Sequence, residues 1–444
     1  MPGPGNDISA DDIFGAGFKA EPYWWEAAPR PPSGDAALPR RCDVAVVGSG
    51  YTGLSAALTL ARAGRSVVVL DKEDAGFGAS SRNAGYLGRT FKHSFGTLTE
   101  KAGLDHALAV YRELQAAFAY VTQLIEAERI DCAFRRCGRL ILANVPAHYD
   151  DIARSLALKE KHLGELFQMV PKAELAGEID SGFYHGGAVI PDLASIHPGL
   201  YHLGLLDRVR EAGAEIHGRT PVAGIAREGE DFRVSTDRGP VLARDVLIAT
   251  NGYTGAATPG LQRRVIPFRG FMIATEELAP AQQNRIIPRW RTVHDWHHDI
   301  DFLRRSPDGR RLLFGGLTGT ATEDLPAMAR RLHGRLRRIL PQLAGVKLSH
   351  AWSGFCAGTF DLYPHIGQLE GIHYALGYCF AGVPAGTYLG HKAALGILGS
   401  PEARTAFHGR DFPQRWFYAG RPWFVPALMA HYRRQDRLGD RRGA

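Results

Sequence analysis

The 444 residues predict an α/β protein of two domains, and three stretches carry that expectation. In the first, the apolar run 44–47 stops at Gly48-x-Gly50-x-x-Gly53, a small-residue helix follows over 54–63, and Gly64 leads to a second apolar run, Val67–Leu70, closed by Asp71. Strand, glycine turn, helix, strand and acid in that order make a Rossmann-type unit. In the second, an amphipathic helix over 198–212 precedes strand-like runs at 214–217, 222–227, 232–236 and 244–250. In the third, 265–275 is a strand of large apolar residues, and 301–316 reads as two strands joined by the turn Pro307-Asp308-Gly309. A chain of this length can bury two cores.

Each residue of the first stretch has a physical task. Gly48 permits the tight turn, Gly50 lets a pyrophosphate approach the backbone, and Gly53 lets helix and strand pack closely. The helix start, with Tyr51 and Thr52, offers free N–H groups and a positive dipole end to phosphate. Asp71, followed by Lys72, stands where an acid accepts hydrogen bonds from a ribose diol. That favours NAD or FAD over NADP.

The loop Gly78-Ala79-Ser80-Ser81-Arg82-Asn83-Ala84-Gly85, followed by Tyr86, has the small residues that let backbone approach a flat ligand. It resembles the flavin-contacting segment of the D-amino-acid-oxidase superfamily. Within that superfamily the chain is most similar to γ-glutamylputrescine oxidase-like enzymes, relatives of the sarcosine and glycine oxidases. The segment Trp352-x-Gly354 followed by Asp361-x-x-Pro364-x-Ile366-Gly367, and the run 377–386 leading into a helix over 387–398, extend the resemblance across 40–400.

The resemblance implies a Rossmann-type FAD-binding domain (39–95, 186–260 and 346–430) interleaved with an α+β substrate domain (96–185 and 261–345) on a mainly antiparallel sheet. An N-terminal arm (1–38) and a basic tail (431–444) flank them. It places Val222 beside the adenine, Thr250, Asn251 and Gly252 at the pyrophosphate, and Trp352 and Gly354 where the chain returns to the flavin. Gly382 and Val383 then lead a helix N-terminus towards the flavin N1/O2 edge. The FAD is expected to be non-covalent, with Cys356 and Cys379 as conceivable attachment points.

The implied reaction oxidises a C–N bond in a secondary amine or N-substituted amino acid by hydride transfer to flavin N5. The imine hydrolyses, and O2 or another acceptor takes the electrons. Such chemistry needs positioning groups rather than a nucleophile. Arg304 is a candidate carboxylate clamp, with a solvated strand-end arginine as the alternative, and Arg269 is a similar case. His350 is a candidate for tuning a proton, or a structural histidine. Tyr86 and Tyr378 either wall the pocket or pack the core. Two positions depart from the family pattern: Ala381 stands where many relatives have His, and Leu317 where relatives tend to have Arg. Both imply a less polar or differently charged substrate. A tRNA-modifying flavoprotein and a non-catalytic flavin-binding subunit are the alternatives.

The remaining features are less specific. Net charge is +7 and much of the excess is Arg, including Arg433, Arg434, Arg437, Arg441 and Arg442, read as a solvated basic tail. The helix over 325–340 is basic on its exposed side. No recognised RNA-binding module is present, so a nucleic-acid partner is not expected. The absence of an 18-residue apolar run argues against a membrane span, and no secretory signal is read, so cytoplasm is expected. His294, His297 and His298 cluster without a matching ligand pair elsewhere in the sequence, so no metal is expected. Tyr23-Trp24-Trp25 needs a surface to cover, either the flavin domain or a partner subunit. The oligomeric state stays open.

Overall fold

The computed structural model describes residues 13–34, 36–319 and 324–443, so residues 1–12 of the expected arm lie outside the described residues. Around the glycine turn, Arg41–Val47 lies between Val67–Leu70 and Val241–Ile248, and all three run parallel. Glu215–His217 extends one side and Ile372–Leu376 joins Val241–Ile248 on the other, again in parallel. Strands covered on both faces must be apolar throughout, which is why Val44, Ala45, Val46 and Val69 are fully buried. The helices Tyr51–Arg62 and Gly382–Ile397 cross this sheet backbone to backbone: a Cβ on Gly390 would stand 2.2 Å from the Thr52 carbonyl oxygen.

The second sheet has nine strands in the order Phe14–Lys19, Leu348–Gly358, Ile266–Thr275, Leu312–Gly316, Phe302–Arg305, Thr292–Asp295, Arg139–Leu142, Gly187–Ile190 and Gln168–Val170. Two of its neighbouring pairs are parallel and the rest antiparallel. Alternation sorts the side chains. Phe271, Ile273, Leu303, Leu312 and Phe314 form a core with Met328, Leu332 and Leu336 of the helix Leu325–Ile339. The other face, with Gly270, Met272 and Gly354, turns towards the cofactor-side domain.

Sheet membership crosses the domain boundaries expected from the sequence. Gly187–Ile190 and Leu348–Gly358 belong to the nine-stranded sheet, and the helix Leu104–Ala127 packs in one core with Tyr51–Arg62 and Gly382–Ile397. A short apolar run looks the same in either sheet, so its partners decide. The helix expected over 387–398 begins at Gly382, which puts Gly382 and Val383 in its first turn. Pro384 read as a loop residue, but proline is tolerated there, where its missing N–H has no helical acceptor. The basic tail is a helix, Val425–Gly443, docked by Val425 and Met429 against Gly319.

The arm covers both domains. Phe14–Lys19 adds a parallel strand beside Leu348–Gly358. Trp24 is fully buried among Met272, Ala274, Leu313 and Trp352, while Trp25 Nε1 donates to Ser81 Oγ at 2.8 Å. Trp24→Ala should therefore cost about 3–5 kcal/mol in denaturant unfolding, the usual range for a large buried aromatic.

Beneath Trp24, His197 caps the helix Pro198–Glu211 by accepting the Leu200 N–H on Nδ1 at 3.1 Å. Burial, with the nearby Arg304 charge, pushes its pKa down to about 4. Between that value and about 6.5 the unfolded chain binds a proton that the native state does not. The contribution is complete above about 6.5 and is lost as pH falls towards 4, at about 1.4 kcal/mol per pH unit. His197→Asn keeps a capping acceptor and removes the titration. Its unfolding free energy should fall less steeply than the parent's over that range.

Candidate active site

The glycine turn lies at the C-terminal ends of the parallel strands, where open α/β sheets bind ligands. Gly48 has φ +104°, a region that favours glycine. A Cβ on Gly53 would stand 1.8 Å from the Gly48 carbonyl oxygen, so helix and strand touch through that glycine. The helix starts at Tyr51 with Gly50 as an N-cap that brings no side chain, and Ser80 Oγ accepts the Tyr51 N–H at 2.9 Å. Asp71 Oδ2 accepts from Ser49 N and Oγ at 2.8 and 2.6 Å, and Lys72 Nζ stands 5.4 Å from the Tyr253 ring centroid.

Thr250, Asn251 and Gly252 meet the same region. Thr250 Oγ1 is 2.8 Å from Thr254 Oγ1, and Asn251 Oδ1 accepts the Gly377 N–H at 2.9 Å. A Cβ on Gly252 would stand 2.6 Å from the Cys356 carbonyl oxygen, so the turn passes against the strand Leu348–Gly358. Val222 is half-buried on the outer hairpin, paired with Thr236.

The loop 78–86 is sewn to both domains. Gly78 lies against the Tyr253 ring, and Ala79 opens a short 3-10 turn through Ser81. Arg82 donates to the Phe77 and Ser353 carbonyls at 2.6 and 2.9 Å, and Trp352 Nε1 donates back to the Arg82 carbonyl at 2.8 Å. Gly354 leaves room for the Arg82 stem. Asn83 Oδ1 accepts the Gly85 N–H at 2.8 Å. The Tyr86 hydroxyl donates to the Leu303 carbonyl at 2.7 Å.

Between the sheet and the helix Gly382–Ile397 there is room for a flat group. A Cβ on Gly270 or on Gly382 would meet nothing within 4 Å. Phe268 and Phe380 join these two glycines, with ring centroids 4.6 Å apart, and Lys92 Nζ stands 4.6 Å from the Phe380 centroid. Lys92 lies deep among protein atoms while its side chain stays accessible, as expected of a group facing an internal chamber. Burial lowers its pKa from the ordinary lysine value. The backbone entering this chamber is strained: Cys379 and Phe380 hold φ at +47° and +77°, directly before a helix N-terminus with no side-chain cap. An uncapped helix end facing open space suits developing negative charge.

The four proposed catalytic residues are placed as follows. Arg304 is buried and donates to the Ala84, Gly85, Ile196 and Arg305 carbonyls at 2.8–3.1 Å, holding the end of the 78–86 loop. Arg269 shares the face of Phe271 and Ile273, opposite Gly270, with its guanidinium 4.6 Å from the Phe355 ring centroid. His350 lies under the arm, its Nε2 3.3 Å from Glu26 Oε1, and burial brings its pKa to about 4. Tyr378 is buried between two helices, its hydroxyl 2.8 Å from Thr52 Oγ1.

A residue that sequence reasoning missed stands out beside them. Arg139 is 4% exposed, and its guanidinium meets only neutral acceptors: Thr292 Oγ1, Thr90 Oγ1 and the Leu87 carbonyl, at 3.2–3.4 Å. No carboxylate pairs with it among the described residues. Its buried neighbour Arg89, by contrast, holds Glu165 at 2.8 Å and Asp192 through two bonds of 2.7 and 3.0 Å. Lys159 and His294 lie close enough to feel the Arg139 charge, and both keep accessible surface deep in the molecule. Burial, then Arg139, pushes His294 down to about 4, so it is neutral. Arg139, Lys159 and His294 therefore stand near one another on the inner side of the sheet. A lone Arg at a strand start carries no sequence signal that separates it from a surface residue.

The uncapped helix start, the glycine cradle and the flat chamber suit a dinucleotide carrying a flat ring system. A family model described as FAD dependent oxidoreductase (DAO) matches residues 43–394. The chain belongs to the FAD-dependent oxidoreductase family. It is 31% identical over 403 residues to γ-glutamylputrescine oxidoreductase of Escherichia coli K12, covering 90% of this chain and 93% of that protein. It is likewise 31% identical over 385 residues to a probable oxidoreductase, OrdL, of Haemophilus influenzae, covering 85% and 88%. Among solved structures it superimposes on glycine oxidase from Geobacillus kaustophilus with a TM-score of 0.72, at 23% identity, over 85% of this chain and 99% of that one. No helix among the described residues is long and apolar enough to cross a membrane.

Proposed function

We propose that this FAD-dependent oxidoreductase oxidises a C–N bond in an amine that carries a negative group remote from the reacting carbon, with O2 as the electron acceptor. Two observations support the reading: the open space at Gly270 and Gly382, and the buried Arg139, which pairs with no carboxylate among the described residues. When bound, FAD supplies the two-electron acceptor for the C–H beside nitrogen, and the resulting imine hydrolyses in water.

The chain's own residues bind and orient. Gly48, Gly50 and Gly53 with the Thr52 N–H would hold phosphate, Asp71 the ribose, and the 78–86 loop with Trp352 and Gly354 the ring system. Phe268 and Phe380 give the chamber apolar walls, which favours the neutral amine. Arg139 and Lys159 would fix a carboxylate, so that the far end of the substrate sets the position of its reacting carbon. Ala381 adds no polar group at the helix start beside the chamber, while Leu317 is buried in the core under the helix Leu325–Ile339.

Burial pushes the Cys356 and Cys379 thiols up to about 12 and about 11. Thiols held protonated are poor nucleophiles, which supports non-covalent FAD. An RNA substrate is not favoured, because Arg335 of the basic helix is held by Asp299 and Asp301 at 3.2 and 2.9 Å.

Anaerobic addition of N-methyl amino acids, γ-glutamyl amines, polyamines and neutral secondary amines tests the reading by bleaching of the oxidised flavin band. We expect bleaching by amines bearing a remote carboxylate and colour return in air. A flavin that can be photoreduced, yet bleaches with no amine, would overturn it.

A further inference from the structure

We infer that His148, His297 and Asp440 form a binding site for one divalent cation of the zinc class, which fastens the C-terminal helix to the substrate-side domain. The proposal is independent of the amine-oxidation reading. Three separate elements supply the donors. His148 lies in the first turn of the helix Pro146–Leu163, His297 in the connector after Thr292–Asp295, and Asp440 on the helix Val425–Gly443. Their donor atoms all lie within 4.8 Å of one another. No local spacing could have shown this, since 148 and 440 are far from 297 in the chain.

The hydrogen-bond pattern suits a bound cation. His297 Nδ1 stands 3.2 Å from Asp295 Oδ2, and its Nε2 stands 2.9 Å from Asp440 Oδ1. Between two carboxylates the ring either donates through both nitrogens as an imidazolium or, when neutral, turns one lone pair on a carboxylate, the place a bound cation would take. Asp295 is firmly placed: it is 2% exposed, and its carboxylate also accepts from Asn144 Nδ2 and the Asp301 N–H, each at 3.0 Å. It therefore orients the ring through Nδ1 and leaves Nε2 as the donor, the arrangement that carboxylates impose on metal-binding histidines. His148 completes the set. Its ring meets that of His297 edge-on at 5.8 Å, and its buried Nδ1 has no hydrogen-bond partner.

Two imidazoles and a carboxylate select a borderline transition ion over Mg2+ or Ca2+, which take oxygen sets. Bonds of about 2.0–2.1 Å in tetrahedral geometry put donors about 3.3 Å apart. The present separations close to that by small side-chain movements. Three protein ligands leave a fourth position for water. The C-terminal helix already rests here, with Tyr432 stacked on His298 at 5.3 Å and Asp436 accepting the His298 N–H at 2.9 Å. The cation would turn that contact into a staple beside His294.

The test uses the full-length, untagged flavoprotein, stripped with a chelator and titrated with Zn2+ by calorimetry and with Co2+ by visible absorption. We expect one Zn2+ per chain and a Co2+ spectrum of four-coordinate intensity. Asp440→Asn and His148→Gln should each weaken Zn2+ at least about 100-fold, and Asp295→Asn about 10- to 100-fold, with the flavin absorbance unchanged. Equal Zn2+ affinity in the parent and the His148→Gln/Asp440→Asn double variant would overturn the site, as would no saturable uptake at all. Should the variants fail to fold, a weak six-coordinate Co2+ spectrum in the parent overturns it alone.

Discussion

Gly53→Ala is expected to yield protein with little or no bound flavin and a lowered melting temperature. The added methyl would stand 1.8 Å from the Gly48 carbonyl oxygen and 3.2 Å from Val46 Cγ1. Neither the turn nor the buried strand can give way, so the helix must move off the sheet. Overpacking of this kind costs about 1–3 kcal/mol. The same movement displaces the N–H groups that would hold phosphate.

Gly50→Ala provides the contrast. Its Cβ would meet Ser80 Oγ at 2.9 Å, the end of a side chain that can rotate away. Melting of the apoprotein should change little, while FAD affinity falls because the methyl stands where the pyrophosphate approaches. Thermal melts and flavin content of the two variants separate packing from ligand contact. Full flavin content in Gly53→Ala would refute the packing argument.

The second large effect separates activity from stability. Arg139→Met removes a buried guanidinium that has no carboxylate partner among the described residues and whose pKa burial lowers. Replacing buried charged groups by apolar side chains of similar size is often neutral or stabilising. The variant should therefore unfold at a temperature equal to or above the parent's.

Its kcat/KM for an amine bearing a remote carboxylate should fall about 10- to 100-fold, since a hydrogen bond to a charged group contributes about 1.5–3 kcal/mol. A neutral secondary amine should lose nothing. A destabilised variant that loses activity equally on both substrates would mark Arg139 as structural.

Arg139 and Arg304 show where sequence reasoning reaches its limit. Both are arginines on strands of the same sheet, and the sequence offered Arg304 either as a carboxylate clamp or as a solvated strand-end arginine. In the fold, Arg304 is surrounded by backbone carbonyls at the end of the 78–86 loop, while Arg139 meets only weak neutral acceptors. Which arginine is left unpaired depends on neighbours distant in the chain: Thr90 and Thr292 for one, Ala84 and Ile196 for the other. Tyr378, which the sequence left as either a pocket wall or core packing, finds Thr52 across a helix interface.

The sequence by itself determined the cofactor end of this protein. Gly48, Gly50, Gly53 and Asp71 lie within one strand–turn–helix–strand unit, where turn geometry, helix dipole and close packing act over a few residues. Strand and helix periodicity also marked elements such as Val67–Leu70 and the helix Pro198–Glu211. Only the tertiary structure decided which sheet Gly187–Ile190 and Leu348–Gly358 join, that Trp24 seals the junction, and that His148 and Asp440 meet His297. These depend on pairing and burial between segments remote in sequence. An apolar or charged side chain carries no local mark of its eventual partner.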